Sequence, residues 1–194
     1  MRARRTIIPC FALLAAAATA QAQTAQPFSI QASGLYASLF GSAFDGLGAG
    51  LGFEGQVRFT TRMGMSFGLG YQHTLHSITG LPDDIALAGP FFEPRYTLPV
   101  DAERYAPYLS ARASVLQQNY DANGISGSAS GFTINAGGGM LIRLASRANL
   151  DIGATYGFTD FGDFTIVGGT GTLTGPSGSG SNVIARVGLA IGVF

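Results

Sequence analysis

Apolar residues alternate with polar or small residues, with a period of two, along almost the whole chain from residue 28 onward. The clearest case is 131–144 (GFTINAGGGMLIRL), in which only Leu141 breaks the rule. A period of two is that of a β-strand. Each segment has at least the roughly 9–11 residues that a tilted membrane strand needs, whereas soluble strands average about 5–6. The eight segments are 28–40, 50–60, 64–76, 87–98, 106–117, 131–144, 149–160 and 181–194.

The connections between these segments alternate in length. The long ones, rich in Gly, Ser, Asp and Thr, are 41–49, 77–86, 118–130 and 161–180. The short ones are 61–63 and 145–148, and 99–105 is intermediate. Long loops at one end and short turns at the other are typical of outer-membrane barrels, whose long loops are extracellular. The predicted fold is therefore all-β, an eight-stranded antiparallel up-and-down transmembrane β-barrel with both termini in the periplasm.

The composition excludes several other classes of protein. Of the 194 residues, 46% are hydrophobic and 11% are charged, and the net charge is zero. Without an Arg cluster beyond the first five residues, the chain is no basic nucleic-acid binder. High hydrophobicity with low charge excludes a disordered chain, and a single Cys excludes a disulfide scaffold. Because no run of about 18 apolar residues exists, a helical membrane protein is not expected.

The first 22 residues have the pattern of a secretory signal peptide. Three arginines within the first five residues precede an apolar stretch too short to span a bilayer, and Ala20-Gln21-Ala22 is an A-x-A cleavage site. We therefore expect 1–22 to be cleaved and 23–194 to form the barrel domain. A lipid anchor is not expected, because Cys10 lies inside the apolar stretch rather than at a cleavage site.

The charged residues indicate which face of each strand points inward. An Arg on the lipid face at the bilayer midplane costs about 2–4 kcal/mol, against a total stability of about 5–15 kcal/mol. We therefore expect the charges to point into the barrel. The register of the fourth strand stays open, because Phe91 and Phe92 are adjacent and two prolines interrupt the strand. The predicted lumen charge network consists of Glu54, Arg58, Glu93, Arg95, Arg112, Arg143, Asp151 and Arg186.

The stretch 131–161 (GFTINAGGGMLIRLASRANLDIGATYGFTDF) resembles the last-but-one hairpin of small eight-stranded outer-membrane barrels, as does Pro107-Tyr108-Leu109 followed by Ala111. The chain is similar to the OmpA-like transmembrane domain and to opacity-type surface proteins. The resemblance implies adhesion or host-surface contact through the loops, and a C-terminal assembly signal at Phe194. In the family, the terminal Phe lies an even number of residues from the lipid-facing residues of its strand, and so on the same face. Here Phe194 lies an even number of residues from Arg186, which is expected to point inward. Either a bulge shifts the register near the end, or the signal is weak.

An eight-stranded barrel is narrow enough for side chains to fill its interior. Counting from the turns places Glu54, Glu93, Arg112 and Arg186 near mid-depth, and the other four charged residues nearer the periplasmic end. Lone buried charges are costly, so these residues are expected to pair. Glu93 with Arg112, on neighbouring strands, is the predicted pair. A polar plug is the leading interpretation, and a gate or narrow selective pore is the alternative.

No catalytic, metal or cofactor site is predicted. His73 and His76 are the only histidines, and at this spacing on a strand they face opposite sides. His76, Ser77 and an acid of the following loop could serve a lipid-modifying enzyme, but the His-x-Ser spacing of such enzymes is absent. The glycine-rich segment 168–180 has no Gly-Lys-Ser/Thr sequence, and it is predicted to be a mobile surface loop.

The predicted function is that of a non-enzymatic outer-membrane barrel with a charge-plugged lumen, which acts as a structural or surface-exposed protein through its extracellular loops. One alternative is a narrow pore or a passage for small or apolar solutes, which glycine-rich inward faces would favour. Two others are a lipid-modifying barrel enzyme and a soluble lipocalin-like barrel with its faces reversed. The expected partners are outer-membrane lipid, the outer-membrane insertion machinery and an unknown extracellular partner, without nucleic acid or cofactor.

Overall fold

One antiparallel sheet contains every strand of the described part of the chain. The computed structural model describes residues 27–80, 83–122, 125–168, 171–175 and 178–193. The strands are β1 (Phe28–Phe40), β2 (Leu47–Thr60), β3 (Met65–Ile78), β4 (Asp84–Thr97), β5 (Tyr105–Ala122), β6 (Ile125–Ala145), β7 (Ala148–Phe161), β8 (Phe164–Gly168), β9 (Gly171–Gly175) and β10 (Gly178–Gly192). A single-turn 3-10 helix, Ser42–Phe44, lies between β1 and β2. In the described ranges, no helix is long and apolar enough to cross a bilayer.

Eight of these strands close into a barrel, which confirms the predicted fold class. Each of β1 to β6 pairs with the next strand along the chain, and β10 pairs with both β7 and β1. The β1–β10 register runs without a shift from Phe40↔Ser181 to Ser29↔Gly192. No bulge therefore alters the parity of β10 up to Gly192. The predicted signal peptide and Phe194 lie outside the described residues.

The two ends of the barrel differ. At one end, here called the turn end, 61–64, 98–104 and 146–147 connect the strands. At the other, here called the loop end, β5 and β6 remain paired up to Ala122↔Ile125. The prediction of a loop over 118–130 was therefore wrong. Its Gly and Ser content is typical of a loop, but the two long strands satisfy each other's backbone groups there.

The prediction of a mobile loop over 168–180 was also wrong, because this segment contains β9 and the start of β10. The β6–β7 pairing ends at Gly131↔Phe161, so the rest of β6 continues past β7 with one edge open. Strand β8 fills that edge by pairing Thr165–Val167 with Ser126–Ser128, and β9 pairs with β8. An open sheet edge offers unpaired N–H and C=O groups. This edge organises a segment whose composition alone predicts a loop.

Exposure alternates along the barrel strands, and most of the large apolar side chains lie outside. In β4, Phe91 is 2% exposed and Phe92 is 46% exposed, so the register that the sequence left open places Glu93 and Arg95 inside. The β3–β4 ladder is continuous, whereas the β4–β5 pairing skips Pro90 and Pro94. Proline has no N–H group to donate. The two prolines therefore interrupt only one of the two ladders of this strand.

Candidate functional site

Four arginines from four different strands converge on the carboxylate of Glu93, which is fully buried. Arg58 Nη2 lies 3.1 Å from Glu93 Oε1, and Arg95 Nε contacts the same oxygen. Arg112 Nη2 lies 2.6 Å and Arg186 Nη1 2.5 Å from Oε2. Each oxygen of this carboxylate is therefore shared between two guanidinium groups, and Glu93 is the centre of this ion-pair network.

Two further carboxylates complete the cluster. Glu54 Oε2 lies 2.7 Å from Arg112 Nη1, and Glu54 Oε1 lies 3.8 Å from Arg186 Nη1. Asp151 Oδ2 lies 2.9 Å from Arg95 Nη1 and 3.6 Å from Arg186 Nε. We call these four arginines and three acids the Glu93 cluster; its members are Glu54, Arg58, Glu93, Arg95, Arg112, Asp151 and Arg186.

Neutral groups hold the cluster in place. The Tyr108 hydroxyl donates to Asp151 Oδ1 at 2.6 Å, and Gln31 Nε2 donates to Oδ2 at 2.7 Å. The guanidinium of Arg95 lies 4.5 Å from the ring centroid of Tyr108, and that of Arg112 lies 4.0 Å from the ring centroid of Phe91. Cation–π contacts strengthen when they are desolvated. These arginines are therefore fixed by their flat faces as well as by their N–H groups.

The structure brings together seven of the eight residues of the predicted network. Glu93 and Arg112 are in contact, but Glu93 is shared and is not the partner of Arg112 alone. The two expected depth levels do not form separate groups. Arg58 and Arg95 contact Glu93, and Asp151 contacts Arg186, so residues of both levels pair with each other. Arg143 lies half-buried near the end of β6, beside the register irregularity at Arg143/Ala145.

Inward glycines accommodate large side chains rather than leaving an open channel. A Cβ atom at Gly139 or Gly153 would collide with the Tyr108 hydroxyl, and one at Gly70 would lie 2.6 Å from Phe91 Cζ. A β-carbon at these positions would require those rings to move. The glycine-rich inward faces therefore do not supply the free space that the pore interpretation requires.

A second, apolar layer fills the lumen toward the loop end. The 3-10 helix contributes Phe44, whose ring centroid lies 6.2 Å from that of Phe161, and β8 contributes Phe164. Sequence reasoning missed this layer, although the inward positions of β4 and β5 change from polar to apolar toward their loop ends. The buried members are Ile85, Leu87, Leu116, Ala129 and Phe161.

His76 and Ser77 point to opposite faces of β3. His76 points inward, is fully buried, and contacts Thr74 Oγ1 and the carbonyl of Gly48, each at 3.0 Å. Ser77 lies on the outer face, beside its cross-strand neighbour Asp84. Adjacent residues of a strand point to opposite faces. The set of His76, Ser77 and a loop acid therefore does not converge on one point.

Comparisons with known proteins agree with this architecture. The family model described as "Outer membrane protein beta-barrel domain" matches residues 9–189. Neisserial surface protein A has 16% sequence identity and a TM-score of 0.61, with 86% of this chain and 97% of that chain covered. The outer membrane protein OprG from Pseudomonas aeruginosa has 15% identity and a TM-score of 0.53, with 88% and 97% covered. No curated protein matches the sequence.

Proposed function

This chain belongs to the outer membrane protein β-barrel family, and from that premise we propose that it is a closed, non-enzymatic barrel that acts through its extracellular surface. The observation that carries the proposal is that two different layers fill the lumen in series. The Glu93 cluster occupies its middle, and the apolar layer around Phe161 lies between that cluster and the loop end.

The two layers oppose the passage of different solutes. An ion that crosses the Glu93 cluster has to break buried ion pairs, and losing one partner of such a pair costs about 3–5 kcal/mol. It then meets an apolar layer, in which an unpaired charge is poorly solvated. An apolar solute that enters the upper layer meets seven buried charged side chains below it. Through the part of the lumen that the structure describes, we therefore expect no continuous path for either class of solute.

The extracellular surface carries the remaining charges in an asymmetric way. In a barrel of this type the long loops are extracellular. All the charged residues near the loop end are aspartates, and the chain places no Arg or Lys there. A partner drawn to this surface by charge would be basic. The aspartates are Asp45, Asp83, Asp84, Asp121, Asp160 and Asp163.

Single-channel conductance of the mature protein in a planar bilayer tests the proposal. A heat-dependent shift in gel mobility first establishes that the sample is folded. We expect a silent membrane from the wild type and from the control variant Glu103→Ala, whose side chain is exposed at the turn end. Resolved current steps from the wild type that change in Glu93→Ala, but not in the control, would replace the closed barrel with the narrow pore.

A further inference from the structure

The Glu93 cluster carries a surplus of positive charge. Four guanidinium groups face three carboxylates, so its formal charge is +1. The side chains of Arg58 and Arg95 are 6% and 2% exposed. Tyr108 and Gln31 contribute no charge, since each meets Asp151 as a neutral donor. A buried charge without a counterion is costly. An anion bound beside the cluster would therefore stabilise the folded barrel.

A small cavity of about 20 Å³ lies on the turn-end side of the cluster. Arg58 and Arg95 line it together with Ser29, Ser66 and Asn149. About 10–15 Å³ by this kind of measure holds one water molecule, so the cavity fits one water or one halide ion.

Both arginines have an N–H group without a partner in the described residues. Arg58 Nε and Arg95 Nη2 are buried and find no hydrogen-bond acceptor there. A guanidinium group only donates, so an anion or a water oxygen must satisfy these N–H groups. Gln31 Oε1, on the same cavity wall, lacks a donor and would favour water. The competing occupant is therefore a water molecule.

We propose that this cavity binds one monovalent anion of the size of chloride between Arg58 and Arg95. Arg58 and Arg95 belong to the positively charged cluster, each has a donor without an acceptor in the described residues, and both line the cavity. Such an anion would make the Glu93 cluster electrically neutral and give both side chains an additional partner. The proposal goes beyond the closed-barrel function and does not depend on it, because the site could be filled whether or not the lumen conducts.

The first test compares thermal unfolding of the mature protein, folded in detergent, in sodium chloride and in sodium gluconate at equal ionic strength. A ligand that binds only the folded state raises Tm in a saturable way, so chloride should raise the Tm of the wild type. Arg95→Gln removes both a donor and the surplus charge, and it should lose this shift. Arg62→Gln removes the same charge from the exposed β2–β3 turn and should keep it. No shift in the wild type, or an equal shift in Arg95→Gln, overturns the site.

The second test uses the wild type alone, so it holds even where Arg95→Gln does not fold. Crystals grown in sodium bromide are measured at the bromine absorption edge. An anomalous peak between Arg58 and Arg95 supports the site. A cavity that holds water only, or bromide peaks confined to the outer surface, overturns it. Conductance plays no part in either readout, so failure here is distinguishable from failure of the closed-barrel proposal.

Discussion

Arg112 binds a single carboxylate oxygen of Glu93 with two of its nitrogen atoms, Nε at 2.7 Å and Nη2 at 2.6 Å. Its third nitrogen, Nη1, lies 2.7 Å from Glu54 Oε2. One guanidinium group from β5 thus joins carboxylates from β4 and β2, which are not neighbours in the sheet. Ion pairs therefore connect strands across the lumen, in addition to the backbone hydrogen bonds that connect neighbouring strands around the barrel wall.

The first prediction concerns the shared carboxylate. Glu93→Gln leaves four buried arginines without their common anion, so we expect a loss of about 3–5 kcal/mol in the free energy of unfolding. Urea unfolding in detergent, followed by far-ultraviolet circular dichroism, measures it. Glu103→Gln removes an exposed acid at the turn end and should change the value by less than about 0.5 kcal/mol. Equal effects of the two variants would contradict a central role for Glu93.

The second prediction concerns the coupling between Glu93 and Arg112. In a double-mutant cycle with Glu93→Gln and Arg112→Gln, the two effects should be non-additive by about 0.5–3 kcal/mol, because either variant alone already removes the ion pair between the two residues. Unfolding free energies of the four proteins give the coupling. The same cycle with Arg62→Gln, in an exposed turn, should be additive. Additive effects of Glu93→Gln and Arg112→Gln would show that this ion pair does not contribute to the stability of the barrel.

The third prediction concerns the fit of Tyr108 against an inward glycine. A Cβ at Gly153 would lie 2.5 Å from the Tyr108 hydroxyl oxygen, so Gly153→Ala should destabilise the barrel by about 1–3 kcal/mol through overpacking. It should cost less in a Tyr108→Phe background, where that oxygen is absent. Gly55→Ala is the control, because a Cβ there meets nothing within 4 Å. If Gly153→Ala lowers the free energy of unfolding no more than Gly55→Ala does, Tyr108 is not tightly packed against Gly153.

The fourth prediction concerns the hairpin of β8 and β9. Among the described residues, its pairing with the barrel is confined to Ser126–Ser128, where β6 continues past β7. Replacing 164–175 with a short Gly-Ser linker should leave a folded barrel, with a lower midpoint because Phe164 no longer covers the apolar layer. The heat-dependent gel shift reports folding, and urea unfolding reports the midpoint. The control Phe164→Ala keeps the hairpin and should lower the midpoint alone. If the chain without 164–175 no longer folds, the hairpin is required for the barrel to form and the prediction is wrong.

Strand number and strand faces could be predicted because both depend on local pattern. Alternation over 131–144 assigns each residue to a face without reference to any other strand. The strands within 168–180 could not be predicted, because β9 pairs with β8, which in turn occupies the open edge of β6, and the start of β10 pairs with β7. A Gly- and Thr-rich segment has no strong preference of its own. Its structure is decided by the backbone partner it meets.

The period-two alternation and the scarcity of charge by themselves determined an eight-stranded barrel with an apolar exterior, because the cost of a charge in lipid applies to each residue separately. Only the tertiary structure decided that Glu93 is shared by four arginines and that Phe44 and Phe164 join an apolar layer. Contacts across a lumen depend on the tilt and stagger of the strands and on the reach of long side chains. These quantities belong to the closed barrel as a whole, and no single strand encodes them.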